Sequence, residues 1–403
     1  MLAAVVTLGA SLAVPATAHG AVTNTAPIGF VHRDHQTLVD GSGTVIKLRG
    51  FNLGNWLVWE SQLMGSTVTP LNGQKVMLPR LASVVGSAAA DQFFSSVQSS
   101  YITQADFQEI ASLGFNSVRV PIPDSLLESD SLPYIYKNTG WQVLDNVVSW
   151  AQSAGLYVIF DLHAAPGGQN NFFYSDPVNG WPRLWGNAAY QQRTVTLWRA
   201  IAARYADSTT VAGYDLLNEP SAPTPAAIIN LYKRIITAVR AVDPNHLVIL
   251  EGTASGHKFT DFTQRYDENM AISLHQYFWL TWNPAKELAT TDAAAKALDV
   301  PLWIGESGWD SYKNVTAQVT MYNKDPEVSG WSFWTWKAAA NATKAWGYTF
   351  PISTAWKQTV QWMAAPKQPQ PPLATIQQGM ADYLSEIAAA QPDSKLIGIL
   401  QAP

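Results

Sequence analysis

Tyr214-Asp215-Leu216-Leu217-Asn218-Glu219-Pro220 closes a mostly apolar run, Val211–Leu217, that breaks abruptly into an amide, a carboxylate and a proline. A short apolar run without polar alternation reads as a strand buried on both faces. Seven similar runs recur: Val45–Asn52, Asn116–Ile122, Tyr157–His163, His246–Glu251, Met270–Tyr277, Pro301–Glu306 and Gly330–Trp336. Helical periodicity falls between several of them, over Thr103–Leu113, Val143–Ala154, Ala188–Tyr205 and Ala226–Val242. Gly114, Gly155 and Asp243-Pro244 follow three of these segments as stop signals. Alternating strand and helix predicts a parallel sheet, and eight such units predict a closed (β/α)8 TIM barrel. No GxGxxG turn follows the first run, which weighs against a dinucleotide-binding sheet.

The chain has 403 residues, long for one core but within the range of a single-domain barrel with long βα loops. Two excursions accommodate the extra length, Trp56–Ser100 after the first strand and Lys337–Leu373 after the last. The proline cluster Pro366–Pro372 reads as a loop, and the amphipathic segment Ile376–Ala389 as the helix that closes the barrel. At the start, Leu2–Val14 is an uncharged, mostly apolar run followed by the small residues Ala16-Thr17-Ala18. That is the pattern of a signal peptide over residues 1–18, with the catalytic domain over 19–403 and a secreted, extracellular or periplasmic location.

Composition removes several classes of function. Cysteine is absent, so a disulfide scaffold, a thiol nucleophile and a thiolate metal site are excluded. A net charge of −5 gives no basic footprint for nucleic acid, and no later stretch is long and apolar enough for a membrane helix. The seven histidines show no HExxH-type spacing, so the sequence predicts neither a metal site nor a cofactor. Only 14% of residues are charged, whereas 17 are Trp. That balance suits a neutral, flat-faced ligand better than a charged one.

The strands end in polar residues. Arg119 lies in Val118-Arg119-Val120-Pro121, His163 ends Phe160-Asp161-Leu162-His163, Asn218 and Glu219 follow the fourth strand, His275 and Tyr277 end the sixth, Glu306 ends Trp303-Ile304-Gly305-Glu306, and Trp334 and Trp336 end the eighth. In a (β/α)8 barrel these C-terminal ends converge on one face, where active sites are built. Glu219 and Glu306 would meet there, one protonated to assist a leaving oxygen and the other ionised, as two-carboxylate glycoside hydrolysis requires.

Asn218-Glu219-Pro220 and Gly305-Glu306, with Arg119, His163, His275, Tyr277 and Trp334 in this order, resemble the signature of the retaining (β/α)8 glycosidases, and within them glycoside hydrolase family 5, the cellulase and β-glucanase family. Arg49-Gly50-Phe51-Asn52-Leu53-Gly54-Asn55-Trp56-Leu57-Val58-Trp59-Glu60 and Asp161–Asn170 look like the first- and third-strand segments of the family's exo-β-1,3-glucanases. Asn55 stands where those enzymes usually carry Gly, and Ser307-Gly308-Trp309 is not their usual continuation after the second Glu. The resemblance implies double displacement, with Glu219 as acid/base, its pKa raised toward neutrality, and Glu306 as nucleophile. It further implies that Arg119 keeps Glu306 ionised, Tyr277 orients it, and Asn218 binds the sugar 2-hydroxyl. His163 and His275 would bond Arg119, Glu219 or a sugar hydroxyl.

Trp334 would lie under the sugar, with Trp336 in the same layer or one layer out, and Glu60 would bond hydroxyls of the terminal sugar. Phe172, Phe173, Phe278, Trp279 and Trp282 would form an aromatic entrance, while Trp56, Trp59 and Trp309 also follow strand ends and could face substrate. Trp141, Trp150 and Trp198 sit in helical patterns and read as packing. The expected protein is a monomeric β-glucan hydrolase, exo-β-1,3-glucanase or β-glucosidase-like, acting on glucan or β-linked oligosaccharide. Its rivals are an endo-β-1,4-glucanase (a cellulase) and, in another class, a non-catalytic carbohydrate-binding barrel.

Overall fold

The computed structural model describes residues 27–177, 180–281 and 283–402. The expected signal peptide and Trp282 therefore lie outside the described residues. Eight parallel strands close on themselves: β1 Leu48–Asn52, β2 Ser117–Pro123, β3 Tyr157–Ala164, β4 Val211–Asp215, β5 Leu247–Glu251, β6 Met270–Gln276, β7 Leu302–Gly308 and β8 Val328–Trp334. Each strand neighbours its successor, and β8 closes the ring by pairing Trp331 with Arg49 and Phe333 with Phe51 of β1. The fold is the expected (β/α)8 TIM barrel. Almost every strand residue is buried, which explains why the strands read as continuous apolar runs.

Local chemistry sets the helices between strands. Asn187 caps Ala188–Tyr205 by accepting the Ala189 N–H at 2.9 Å. Thr224 caps Pro225–Arg240, with Pro225 at the first turn where no N–H is needed. Gly155 ends Asn138–Ala154 in the left-handed conformation (φ +74°) that favours glycine there.

The strand starts and strand ends of the barrel interior differ in kind. At the starts, Leu48, Tyr157, Ile159, Ala212, Leu247, Ile249, Ala271 and Trp303 form one apolar cluster. Val31 and Leu38 join it from a small antiparallel sheet (His32–Asp34, Thr37–Val39 and Val45–Ile46) that covers this end. Val45 and Ile46 thus belong to this sheet and not to the first barrel strand. At the strand ends, β3–β4 register sets Asp161 beside Asp215, and β6–β7 register sets His275 beside Glu306.

Both excursions contain helices. Gln74–Val85 and Ser87–Tyr101 follow β1, and Thr354–Ala364 and Leu373–Ala388 follow β8. They pack on one another: Trp356 stacks on Tyr383 (4.2 Å, 17°), Phe93 meets both, and Trp59 lies against Phe93 and Phe94. The last long helix therefore finds its main partners among these helices, not as an eighth element laid on the strands. Among the described residues, no helix is long and apolar enough to cross a membrane.

Candidate active site

Arg119 organises the strand-end layer. It is fully buried and spends its whole guanidinium on neighbours. Nη1 donates to Glu306 Oε1 at 2.6 Å and to Asn52 Oδ1 at 3.1 Å. Nε donates to Asp215 Oδ2 at 2.9 Å, and Nη2 to Asn218 Oδ1 at 3.0 Å and Glu251 Oε1 at 3.1 Å. Asp161 Oδ1 lies 3.1 Å from Nη2. Arginine suits this position because its planar fork serves several carboxylates and stays charged.

The two candidate carboxylates meet above it. One oxygen of Glu219, one of Glu306 and a ring nitrogen of His275 lie within 4.8 Å of one another. Tyr277 Oη donates to Glu306 Oε2 at 2.7 Å, fixing the oxygen that Arg119 leaves free. Glu219 is held differently. His275 Nδ1 lies 2.9 Å from Oε1, and Tyr174 Oη donates to Oε2. Its backbone adopts φ +45°, a left-handed conformation rare for a side chain of this size. Two bonds bracket that backbone. The Glu219 N–H donates to Glu251 Oε2 at 2.6 Å, and Asn170 Nδ2 donates to the Glu219 carbonyl at 3.0 Å.

The electrostatics differ from what the sequence suggests. Burial by itself raises the Glu219 carboxyl, but the hydrogen bond and charge of His275, with the Tyr174 bond, outweigh it and hold Glu219 well below the usual carboxylate range. Burial opposes charge on His275 as well, yet Glu251 and Glu306, with bonds to Glu219 and Glu251, hold it protonated. In the free protein the pair therefore stores its proton on the imidazole, whereas the sequence reading places a raised pKa on Glu219. The reason is a cation in contact with the carboxylate, which no sequence spacing reveals. His163 is the opposite case. Burial depresses it to about 3, so it is neutral, with Nδ1 on Asp161 Oδ2 at 2.7 Å and its ring parallel to Trp334 (5.4 Å, 10°).

These groups line a cavity of about 400 Å³. Its walls include Glu60, Gln62, His163, Tyr174, Asn218, Glu219, Tyr277, Glu306, Trp309 and Trp334. Trp279, Leu280 and Phe172 also line it and are about half exposed, so the opening lies on their side. Glu60 is buried, with Oε2 accepting from Gln62 at 2.8 Å and Oε1 lacking a hydrogen-bond partner among the described residues. Burial, then the charges of Glu306 and Glu219, push the Glu60 carboxyl well above the usual range. Asn55 positions this loop. It adopts φ +60°, accepts the Glu60 N–H at 2.9 Å, and donates to Tyr101 Oη at 3.1 Å. Asparagine is one of the few residues besides glycine that visits this conformation readily.

Residues 73–340 match the family model for cellulase (glycosyl hydrolase family 5). The chain belongs to glycoside hydrolase family 5. It is therefore a glycosidase, and its substrate is a carbohydrate typical of that family. A β-xylosidase of Phanerodontia chrysosporium is 30% identical over 74% of this chain and 69% of its own length. A probable glucan 1,3-β-glucosidase A of Aspergillus clavatus is 34% identical over 57% of this chain, which spans little more than half (55%) of that relative. A β-glucanase structure from Saccharophagus degradans superposes with a TM-score of 0.54 at 19% identity, covering 92% of this chain and 98% of its own, which speaks for the fold alone.

Within this family-5 cavity the structure brings together Glu219, Glu306, His163, Asn218, Tyr277, Trp334, Glu60 and Phe172, with Arg119 and His275 directly beneath. Trp336 is a correction. It is wholly buried, donates Nε1–H to Asp106 Oδ1 at 2.8 Å, and packs on Phe51 and Tyr348. β8 ends at Trp334, and the chain then turns into Lys337–Ala339, which pairs with Tyr348–Phe350. Strand alternation no longer governs Trp336. Trp56 and Trp59 are also core residues, Trp56 donating to the Gln98 carbonyl at 2.7 Å, and Phe278 does not line the cavity.

Sequence reasoning passed over Tyr174, Asp215 and Glu251. Tyr174 lies in a single 3-10 turn, Phe173–Ser175, too short to carry a readable periodicity. Glu251 had a readable signal, since Val248-Ile249-Leu250-Glu251 ends a strand in a carboxylate just as Ile304-Gly305-Glu306 does.

Proposed function

We propose that this chain is a secreted, retaining exo-β-glucan hydrolase that prefers β-1,3 linkages, with Glu219 as acid/base and Glu306 as nucleophile. The observation that carries the reading is the meeting of two differently held carboxylates in one cavity, with an oxygen of each within 4.8 Å of the other. Glu306 Oε2 attacks the anomeric carbon as the glycosidic bond breaks, and the departing oxygen takes the proton from Glu219. The glycosyl–Glu306 ester is then hydrolysed by water, whose proton returns to Glu219. Before the first step the proton held on His275 passes to Glu219 across their hydrogen bond. Asn218 gives its amide oxygen to Arg119, which turns its NH2 toward the sugar 2-hydroxyl.

Exo action is supported by the buried carboxyl of Glu60 in the wall of a cavity that also carries half-exposed Phe172 and Trp279. A protonated Glu60 there donates to a terminal sugar hydroxyl. The linkage preference is supported by the glucan 1,3-β-glucosidase relatives. Secretion is supported by the apolar Leu2–Val14 run and the small residues after it.

Product analysis on laminarin, carboxymethyl-cellulose and xylan tests the reading. Glucose as the sole early product from laminarin, with little action on the other two, is the expected result. A ladder of internal cleavage products, or preferred release of xylose, overturns the exo-glucan assignment. Added azide is expected to restore turnover of an activated aryl glucoside by Glu219→Ala, and failure to do so removes Glu219 from the acid/base role.

A further inference from the structure

Glu251 ends β5 below the cavity and is fully buried. It is not a lining residue, so no sugar reaches it. Its two oxygens nevertheless touch the supports of both candidate catalytic carboxylates. Oε2 accepts the Glu219 N–H at 2.6 Å. Oε1 lies 3.1 Å from Arg119 Nη2 and 3.1 Å from His275 Nε2. Arg119 is the cation bonded to Glu306, and His275 is the one bonded to Glu219.

The backbone around Glu251 is shaped for this contact. A Cβ on Gly256 (φ +85°) would stand 3.0 Å from Glu251 Oε2 and 3.8 Å from Glu219 Cγ, so the turn after β5 leaves both carboxylates room. Glu219 holds a left-handed φ of +45°, a conformation that persists only where neighbours fix it. The short bond from its N–H to a buried carboxyl oxygen of Glu251 is such a hold.

We infer that Glu251 is the positioning residue of the acid/base: its carboxyl group fixes the Glu219 backbone and ties it to His275 and Arg119, without contacting substrate. This rests on the reading of Glu219 as acid/base. The other titratable groups around it are Asp161 and Asp215, which face Arg119 from β3 and β4, and the neutral Tyr232, whose hydroxyl donates to the Glu251 carbonyl. Neither aspartate reaches the Glu219 backbone in any hydrogen bond of the described residues, which singles out Glu251.

The test compares Glu251→Ala and Glu251→Gln on two aryl β-glucosides, one with a poor leaving group and one with 2,4-dinitrophenolate. Glu251→Ala is expected to lose about 10²-fold or more in kcat/KM on the poor leaving group, and less than about tenfold on the activated one. Its turnover of the activated substrate should rise with azide. Glu251→Gln keeps an acceptor for the Glu219 N–H but presents its NH2 to the two cations. It should lose less, with the same dependence on leaving group, and it carries the test alone should the alanine variant not fold. Equal losses on both substrates, or wild-type rates in both variants, overturn the inference and leave Glu251 a structural counter-ion. Glu219→Ala is run beside them. If it shows no leaving-group dependence, the reading of Glu219 fails, and that result is separate from any behaviour of Glu251.

Discussion

On the strand-start side of the barrel the inward side chains are Leu48, Ile159, Ala212, Leu247, Ile249, Ala271 and Trp303. Two to four residues further along the same strands they are Asn52, Asp161, Asp215, Glu251 and His275, gathered around Arg119. Both layers are almost completely buried, yet they obey different rules. The apolar layer gains stability from area and fit, so volume is what matters there. Each charge in the upper layer costs several kcal/mol of desolvation, returned only through correctly placed partners. The apolar layer serves stability alone and the polar layer carries the proposed chemistry as well, and a step of one inward position, Ile159 to Asp161 or Ile249 to Glu251, crosses between them.

The largest effect expected of that division comes from Glu306→Ala, which should lower kcat by about 10⁴-fold or more while the thermal midpoint moves little. A variant with undiminished hydrolysis would remove the upper layer from the chemistry altogether. Arg119→Met should act on both properties. It strands Asp161, Asp215, Glu251 and Glu306 without their cation, a loss of about 3–5 kcal/mol in denaturant unfolding. Ile159→Ala, in the apolar layer, should cost about 2–5 kcal/mol by the same measurement. Its kcat should stay near wild type in the folded protein, and a large fall would show that the layers are not separable.

A smaller effect concerns pH. The Glu219–His275 pair keeps its proton until the pH passes the raised pKa of His275, which lies well above 6.5. The basic limb of kcat/KM in the free enzyme should follow that value. In His275→Gln the cation that lowers Glu219 is gone, and Glu219 holds the proton itself as an ordinary buried carboxyl. The limb should then move toward acid by about one pH unit or more. An unmoved limb would show that the imidazole is not the proton store. The smallest effect is expected of Trp336→Phe, which should leave KM within about twofold, whereas Trp334→Ala should lower kcat/KM by about tenfold or more. These two indoles lie two positions apart, and their difference marks where the strand ends.

Much of this was legible beforehand because burial on both faces writes itself into sequence. β3, β4 and β6 fall within two residues of their expected ends, and Ala188–Tyr205 forms as its periodicity predicts. The polar residues that end strands were legible for the same reason, as interruptions in an apolar run. The helices Gln74–Val85 and Ser87–Tyr101 were missed because their apolar faces meet other helices, because Pro79 interrupts the first and because the second is Ser- and Ala-rich. Trp59 and Trp336 were misplaced because composition tells how much aromatic surface there is but not which side of a wall it faces.

The sequence by itself determined the barrel, the order of its polar strand ends and the pair Glu219 and Glu306, since each depends on local pattern and chain order. Only the tertiary structure decided which carboxylate His275 touches, where the pair keeps its proton, that Glu251 links both halves of the site, and which indoles meet the cavity. Those outcomes depend on distances of about 3 Å between side chains from different strands. Such distances are fixed by barrel register and closure, and no single segment of the chain contains them.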